Sequence, residues 1–280
     1  MKFLNLFLLA TICGNLSITI EAQTKEEVMP FLKGEYVYEY LRESKNKMGD
    51  NIISETISKT DYNDNGNIIS MVITTNGEKI METIDYQYGD REMSNVSNNY
   101  LNGQKISTSK THNTYADDFY RNISVSEIES EQFGNTSNQR IEWSYDEQGR
   151  MTGMKQFLNG ELLSESTDFV WTPNSCEYIT YSYSPIQSVD KVSKKFQDEN
   201  YVQNVLEIHN IDMNGVSMEN KNECTYDNDG NLTSMKSYSN GQLTMELKDY
   251  VWGDKKNTHE EVMYMNGQPY SISEVTQYYK

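Results

Sequence analysis

The sequence predicts an all-β fold: a long antiparallel meander of about eighteen strands in three repeated units, curled or closed into a barrel. Three observations predict it. One run recurs about eighty residues apart, as Tyr62-Asn63-Asp64-Asn65-Gly66, Tyr145-Asp146-Glu147-Gln148-Gly149 and Tyr226-Asp227-Asn228-Asp229-Gly230. Ten residues after each glycine comes an Asn-Gly pair (Asn76-Gly77, Asn159-Gly160, Asn240-Gly241), and eight residues beyond that an acidic-aromatic pair (Asp85-Tyr86, Asp168-Phe169, Asp249-Tyr250). Between the turns, residues alternate with the period of two that half-buried strands require, as in Ile179, Tyr181 and Tyr183 against Thr180 and Ser182.

The elements follow in chain order. Lys2 precedes an apolar stretch from Phe3 to Ile12 and a tail ending Ile20-Glu21-Ala22, the order of a secretory signal peptide over residues 1–22. The apolar run is too short to span a bilayer. Residues 23–34 read as a linker, and only Lys25 to Leu32 has a spacing a short helix could use. Residues 35–280 read as one β-repeat domain with units of about 35–118, 119–200 and 201–280. Asn-Gly supplies the two positive φ angles of a type I′ hairpin, and eight to ten residues between turns is strand length. About six strands fit each unit. An isolated unit would leave two raw edges, so the three are expected to form one body.

Composition bounds the function. With 21 tyrosines and only 4 prolines the bulk propensity is β. A net charge of −18 repels nucleic acid and anionic membrane surfaces. The leader places the chain outside the cytoplasm, in the periplasm, at the cell surface or beyond it. Cys13 leaves with the leader. Cys176 and Cys224 remain, and the sequence leaves open whether they form a disulfide or stay as two strand thiols. A lipid-facing barrel needs an apolar residue at every second position of each strand. The stretches Lys105 to His112 and Ser217 to Glu223 lack one, so porin-like connectivity in water is the expectation.

The cleanest repeat, Tyr226-Asp227-Asn228-Asp229-Gly230-Asn231-Leu232, resembles the YD repeats of Rhs-type surface proteins, and the Asn-Gly hairpins resemble MORN-type repeats. With the leader and the long divergent units, the arrangement is similar to an exported Bacteroides-type family with a porin-like β fold. That resemblance covers nearly all of the chain after the leader and implies a large β-meander. It carries over no catalytic residue.

Asp61-Tyr62-Asn63-Asp64-Asn65-Gly66 opens like a calcium loop, but Val72 stands where the bidentate Glu belongs, so these acidic residues read as turn chemistry. Glu82, Glu165 and Glu246 recur, and simple alternation puts them on one face with Tyr86 and Tyr88, Phe169 and Trp171, Tyr250 and Trp252. Such a set is either a carboxylate-and-aromatic ligand platform or a packing ladder, and repetition in every unit favours packing. His112, His209 and His259 read as surface strand residues, without metal spacing. No nucleophile elbow, phosphate loop or dinucleotide fingerprint occurs. The functional expectation is a non-enzymatic exported binding or structural module, without a cofactor, whose partner is a glycan or an envelope protein. The alternatives are a glycan-active hydrolase with a carboxylate pair inside the barrel and an outer-membrane channel component.

Overall fold

Turn residues cut the chain into hairpins, and alternation makes each segment between them a strand. The computed structural model describes residues 39–48, 51–64, 67–116, 122–197, 203–228, 230–253, 256–265 and 268–279. The expected leader, linker and short helix lie outside them. The first six strands are β1 (Glu39–Met48), β2 (Asn51–Tyr62), β3 (Ile68–Thr75), β4 (Glu78–Tyr88), β5 (Glu92–Leu101) and β6 (Gln104–Tyr115). Then come β7 (Ile123–Gln132), β8 (Asn135–Tyr145), β9 (Met151–Leu158), β10 (Glu161–Thr172), β11 (Ser175–Ser182) and β12 (Ser188–Phe196). The last six are β13 (Asn204–Met213), β14 (Val216–Tyr226), β15 (Leu232–Ser239), β16 (Gln242–Val251), β17 (Lys256–Met265) and β18 (Gln268–Tyr279).

One rim carries the tight turns. Asn76 and Gly77 take φ of 51° and 80°, the type I′ pair, and the same signs recur at Asn102-Gly103, Asn159-Gly160, Asn214-Gly215 and Asn240-Gly241. The Asn76 carboxamide also accepts the Glu55 amide at 2.9 Å, as Asn159 does from Asn138 and Asn240 from Glu219. These three corners are thereby pinned to the strand that precedes their hairpin. The other rim carries most of the longer loops, although the connection 183–187 lies on the first rim and the two-residue turn Pro173-Asn174 on this one. There Asn63 accepts the amide of Asn67, Asp146 those of Gln148 and Arg150, and Asp227 that of Asn231. These oxygens are committed to their own backbone, which is turn chemistry.

Every strand pairs antiparallel with its sequence neighbours, and β1 also pairs with β18, from Glu39 opposite Tyr279 to Lys47 opposite Ile272. The meander therefore closes into an 18-stranded barrel. Closure removes the two raw edges that an open sheet of this length would expose. Strands about 4.8 Å apart and tilted by about 40° give a backbone diameter of roughly 35 Å, wide enough for a wet interior.

Following the register around the wall sorts the side chains into two faces. One holds the serine row Ser97, Ser109, Ser130 and Ser137, with Thr83 bonded to Ser97 at 2.9 Å and Ser109 to Ser130 at 2.8 Å. Among the described residues all the buried ones except Asn98 and Val262 lie on this face, including Cys176, Val192, Phe196 and Val275. Burial is the leading influence on the acidity of Tyr86, Tyr178, Glu207 and Tyr250 there. Hydrogen bonds lead instead for Lys79, Glu82, Lys221 and Glu223 on the opposite face. Crowded, desolvated side chains belong on the concave side of a closed wall. That face is the inner one.

The outer face carries ion pairs around the barrel: Lys45–Glu55 at 3.5 Å, Arg140–Glu142 at 2.7 Å, Lys221–Glu223 at 2.9 Å and Lys248–Glu260 at 3.0 Å. Exposed pairs of this kind add little stability.

Candidate functional site

Three aspartates decide where the recurring aromatics point. Asp85, Asp168 and Asp249 take φ of 55°, 57° and 55°, and at each the register slips by one residue: between Ile84 and Gln87, Thr167 and Val170, Lys248 and Val251. Each is a β-bulge, with Asp supplying the left-handed conformation that it and Asn adopt more readily than other side-chain-bearing residues. The extra residue moves everything beyond it to the other face. Tyr86, Tyr88, Phe169, Trp171, Tyr250 and Trp252 therefore point inward, while Glu82, Glu165 and Glu246 point outward. The shared face expected from simple alternation is corrected by the bulge, and the nine residues do not form one platform.

The outward glutamates have a repeated partner of their own. Tyr100 donates to Glu82, Tyr183 to Glu165 at 2.5 Å and Tyr264 to Glu246 at 3.1 Å. Lys79 adds a bond to Glu82 at 2.6 Å. Three of the inward rings have their polar tips on backbone carbonyls. Tyr88 donates to the Ile68 carbonyl at 2.9 Å, Trp171 to that of Met151 at 2.8 Å and Trp252 to that of Leu232 at 2.9 Å. Phe169 stacks on Tyr178 with centroids 4.6 Å apart, and Tyr250 on His259 at 4.7 Å. Trp143, paired with Met154, shares the inner face, so all three tryptophans are inside.

Charge breaks the repeat between β12 and β13. Register places Lys194 opposite Glu207 and Val192 opposite His209 on the inner wall. The His209 Nδ1 lies 2.6 Å from Asp190 and its Nε2 3.0 Å from Glu207, which also pairs with Lys194 at 2.9 Å. The side chains keep 18–27% of their surface in reach of water, yet desolvation is the largest influence on Glu207, Lys194 and His209. Water reaches them only from the confined side of the wall. Burial alone would lower the His209 pKa, but the flanking Asp190 and Glu207 carboxylates overcome it and raise it to about 9. Glu207, despite burial, is held down to about 2 by His209 and Lys194. Two cations face two anions, and the cluster is neutral.

The equivalent facing positions are Asn113 and Ser126 at one seam and Gln277 and Arg42 at the other. The first is uncharged. At the second, Arg42 pairs with Glu261 at 3.0 Å and His259 approaches the same carboxylate at 3.3 Å. Among the described residues three buried polar atoms lack a partner: Asp190 Oδ1, Asn204 Oδ1 and His259 Nδ1. All three belong to the inner wall of β12, β13 and β17.

The structure decides one alternative the sequence left open and corrects one expectation. Cys176 and Cys224 are unpaired. They lie three strands apart, on β11 and β14, so roughly 14 Å of sheet separates them, twice the reach of a disulfide. Burial pushes the Cys176 thiol up to about 12, leaving it inert. His209 and His259 are inner-wall residues rather than surface ones; only His112 points outward. The signal for His209 was present in Glu207, which shares its face two residues earlier. Asp190 and Lys194 needed the register, because residues 197–203, which separate β12 from β13, have no tight-turn motif to set it. A groove of about 1110 Å³ also crosses the outer face of β4 to β9, between rows that include Val96, Lys110 and Glu129 on one side and His112, Glu127 and Arg140 on the other. It contains none of the unpartnered buried atoms, and the inner cluster is the stronger candidate.

A crystal structure of a porin-like protein from Bacteroides uniformis is similar to this chain, with 10% identity and a TM-score of 0.45 over 86% of this chain and 98% of that one. No protein-family model and no curated protein matches. The likeness to YD and MORN repeats stays with the turn residues that suggested it. A structural likeness at this level carries no argument, and the functional reading rests on the barrel's own two faces.

Proposed function

We propose that the chain is an exported, non-enzymatic binding barrel that holds a hydroxyl-rich ligand, a glycan of the cell envelope or its surroundings, against its inner wall. The observation that carries this reading is the break in the repeat at β12 and β13. Packing is what every unit must reproduce, whereas the Asp190–His209–Glu207–Lys194 network occurs at one seam of three. Half-exposed rings of Phe169, Trp171 and Tyr178 flank it on β10 and β11.

The same network speaks against proton-transfer chemistry. Both ring nitrogens of His209 are engaged and its pKa of about 9 lies well above neutrality, while Glu207 at about 2 lies well below. A general acid or base works best near the ambient pH. The paired charges on the outer wall favour a barrel in water over one in lipid, which would leave Arg140 and Glu142, or Lys221 and Glu223, against hydrocarbon.

The test uses the inward tryptophans. The mature protein, purified without detergent, is titrated with envelope and dietary glycans while tryptophan emission and thermal midpoint are recorded. A saturable emission change with a raised midpoint for at least one glycan is expected. Silence across the whole panel would overturn the ligand, and solubility only in detergent would favour the channel.

A further inference from the structure

Phe133 stands where a hairpin corner calls for asparagine. With Gly134 it forms a two-residue turn at φ of 50° and 78°, in the position that Asn76, Asn102, Asn159, Asn214 and Asn240 fill at other corners. Phenylalanine has no advantage in that left-handed conformation, which suits glycine and asparagine. It gains no packing either, because 72% of it is exposed. Neither turn chemistry nor the core explains the ring. Its neighbours on the tight-turn rim repeat the pattern: Leu101 and Val216 flank corners at 60% and 62% exposure, and Ile52, Leu158 and Ile186 are exposed there too. Ten of the fourteen exposed large hydrophobic side chains among the described residues lie within three residues of this rim's connections. The apolar surface has been gathered at one end.

We propose that this rim docks the barrel on a zwitterionic lipid bilayer, its corners dipping into the headgroups while the charged wall stands in water. Three features select lipid. The first is charge. The connections of this rim hold Asp50 as their single charged residue, whereas those of the other rim include Asp64, Asp90, Asp146, Glu147 and Asp227. A net charge of −18 is repelled by anionic lipid, so the surface must be a neutral one. The second is the spread of the apolar side chains over separate corners. Followed by register from Leu41, seven residues from the end of β1, the pairing line reaches β8 at Thr136, one residue from its start. Tilted strands need that stagger if their corners are to stand level. A flat bilayer meets level corners together, where a protein partner needs one contiguous patch. The third is a set of outward tyrosines. Tyr100, Tyr183 and Tyr264 donate to Glu82, Glu165 and Glu246, and by register each carboxylate lies two residues farther from the corner than its tyrosine. Each ring thus turns its polar tip to the wet wall and its apolar body to the corner, as tyrosines at a membrane interface do. These carboxylates also limit the depth to about 7 Å, a depth that suits surface attachment. A zwitterionic headgroup offers both signs to the charges at that level, such as Lys79, Lys105, Glu131 and Asp212.

Flotation of the mature protein with phosphatidylcholine vesicles, with and without added phosphatidylglycerol, tests this. The protein should rise with the neutral vesicles and partition at least about tenfold more weakly onto the anionic ones. Phe133→Asn installs the residue used at five other corners, so it should keep or raise the thermal midpoint while lowering the partition coefficient about tenfold. Leu101→Ser combined with Val216→Ser should lower it by at least as much. Val251→Ser, at an exposed side chain of the opposite rim, should leave partitioning unchanged. Native protein that stays behind with neutral vesicles, or that prefers the anionic ones, would end the proposal, as would undiminished binding by Phe133→Asn. A native dimer that the same substitution splits into monomers in sedimentation velocity would give the rim to a second copy instead.

Discussion

His209 is the residue whose surroundings differ most from those a strand position ordinarily provides, and the consequence is a defined pH dependence. Its folded pKa is raised from 6.5 to about 9, so the stability it contributes is fully present below pH 6.5 and lost as pH rises through 9. Glu207 is shifted the other way, from 4.5 to about 2, so its share is present above pH 4.5 and lost as pH falls through 2. Native protein should therefore exceed a His209→Gln variant in thermal midpoint by a few degrees at pH 6, and the gap should close by about pH 10. A gap constant from pH 6 to 10 in calorimetric scans would refute the ion network. At this scale the sequence was legible in part. Glu207 and His209, two apart on one strand, could be placed on one face by alternation. Their partners could not, because Asp190 and Lys194 belong to another strand, and which residues of two strands meet is a property of the pair.

Strands here alternate until an extra residue interrupts them, and at Asp85, Asp168 and Asp249 that residue takes a positive φ. The three bulges at Asp85, Asp168 and Asp249 were visible as recurring acidic-aromatic pairs, and Asp is an uncommon residue for a strand interior. What alternation alone could not show is the inserted residue, and one such residue reverses the face of every side chain after it. That is why the glutamates and aromatics, predicted together, part to opposite sides. The positive φ gives a direct test. Asp168→Gly should be close to neutral, whereas Asp168→Val forces a β-branched residue into the left-handed region and should cost about 1–2 kcal/mol in urea denaturation. Equal stability of the two variants would mean that β10 does not bulge there.

At the scale of the whole molecule, closure sets the behaviour. With Glu39 opposite Tyr279, the two ends of the barrel meet along β1 and β18 on the loop-bearing rim. A circular permutant that joins these ends by a short flexible linker and opens at Asn159-Gly160 should fold to the same tryptophan emission and unfold in one transition. Two separated transitions would show that the units are independent bodies. The sequence by itself determined the β class, the hairpin corners, the strand count and the threefold repeat, because turn chemistry is local: Asn and Gly set φ wherever they stand. Tertiary structure alone decided that the ribbon closes, that the aromatics face inward while the glutamates face out, and that two cations and two carboxylates meet on one inner wall. Those outcomes depend on register and curvature, which exist only between strands, and a pattern read along one strand cannot contain them.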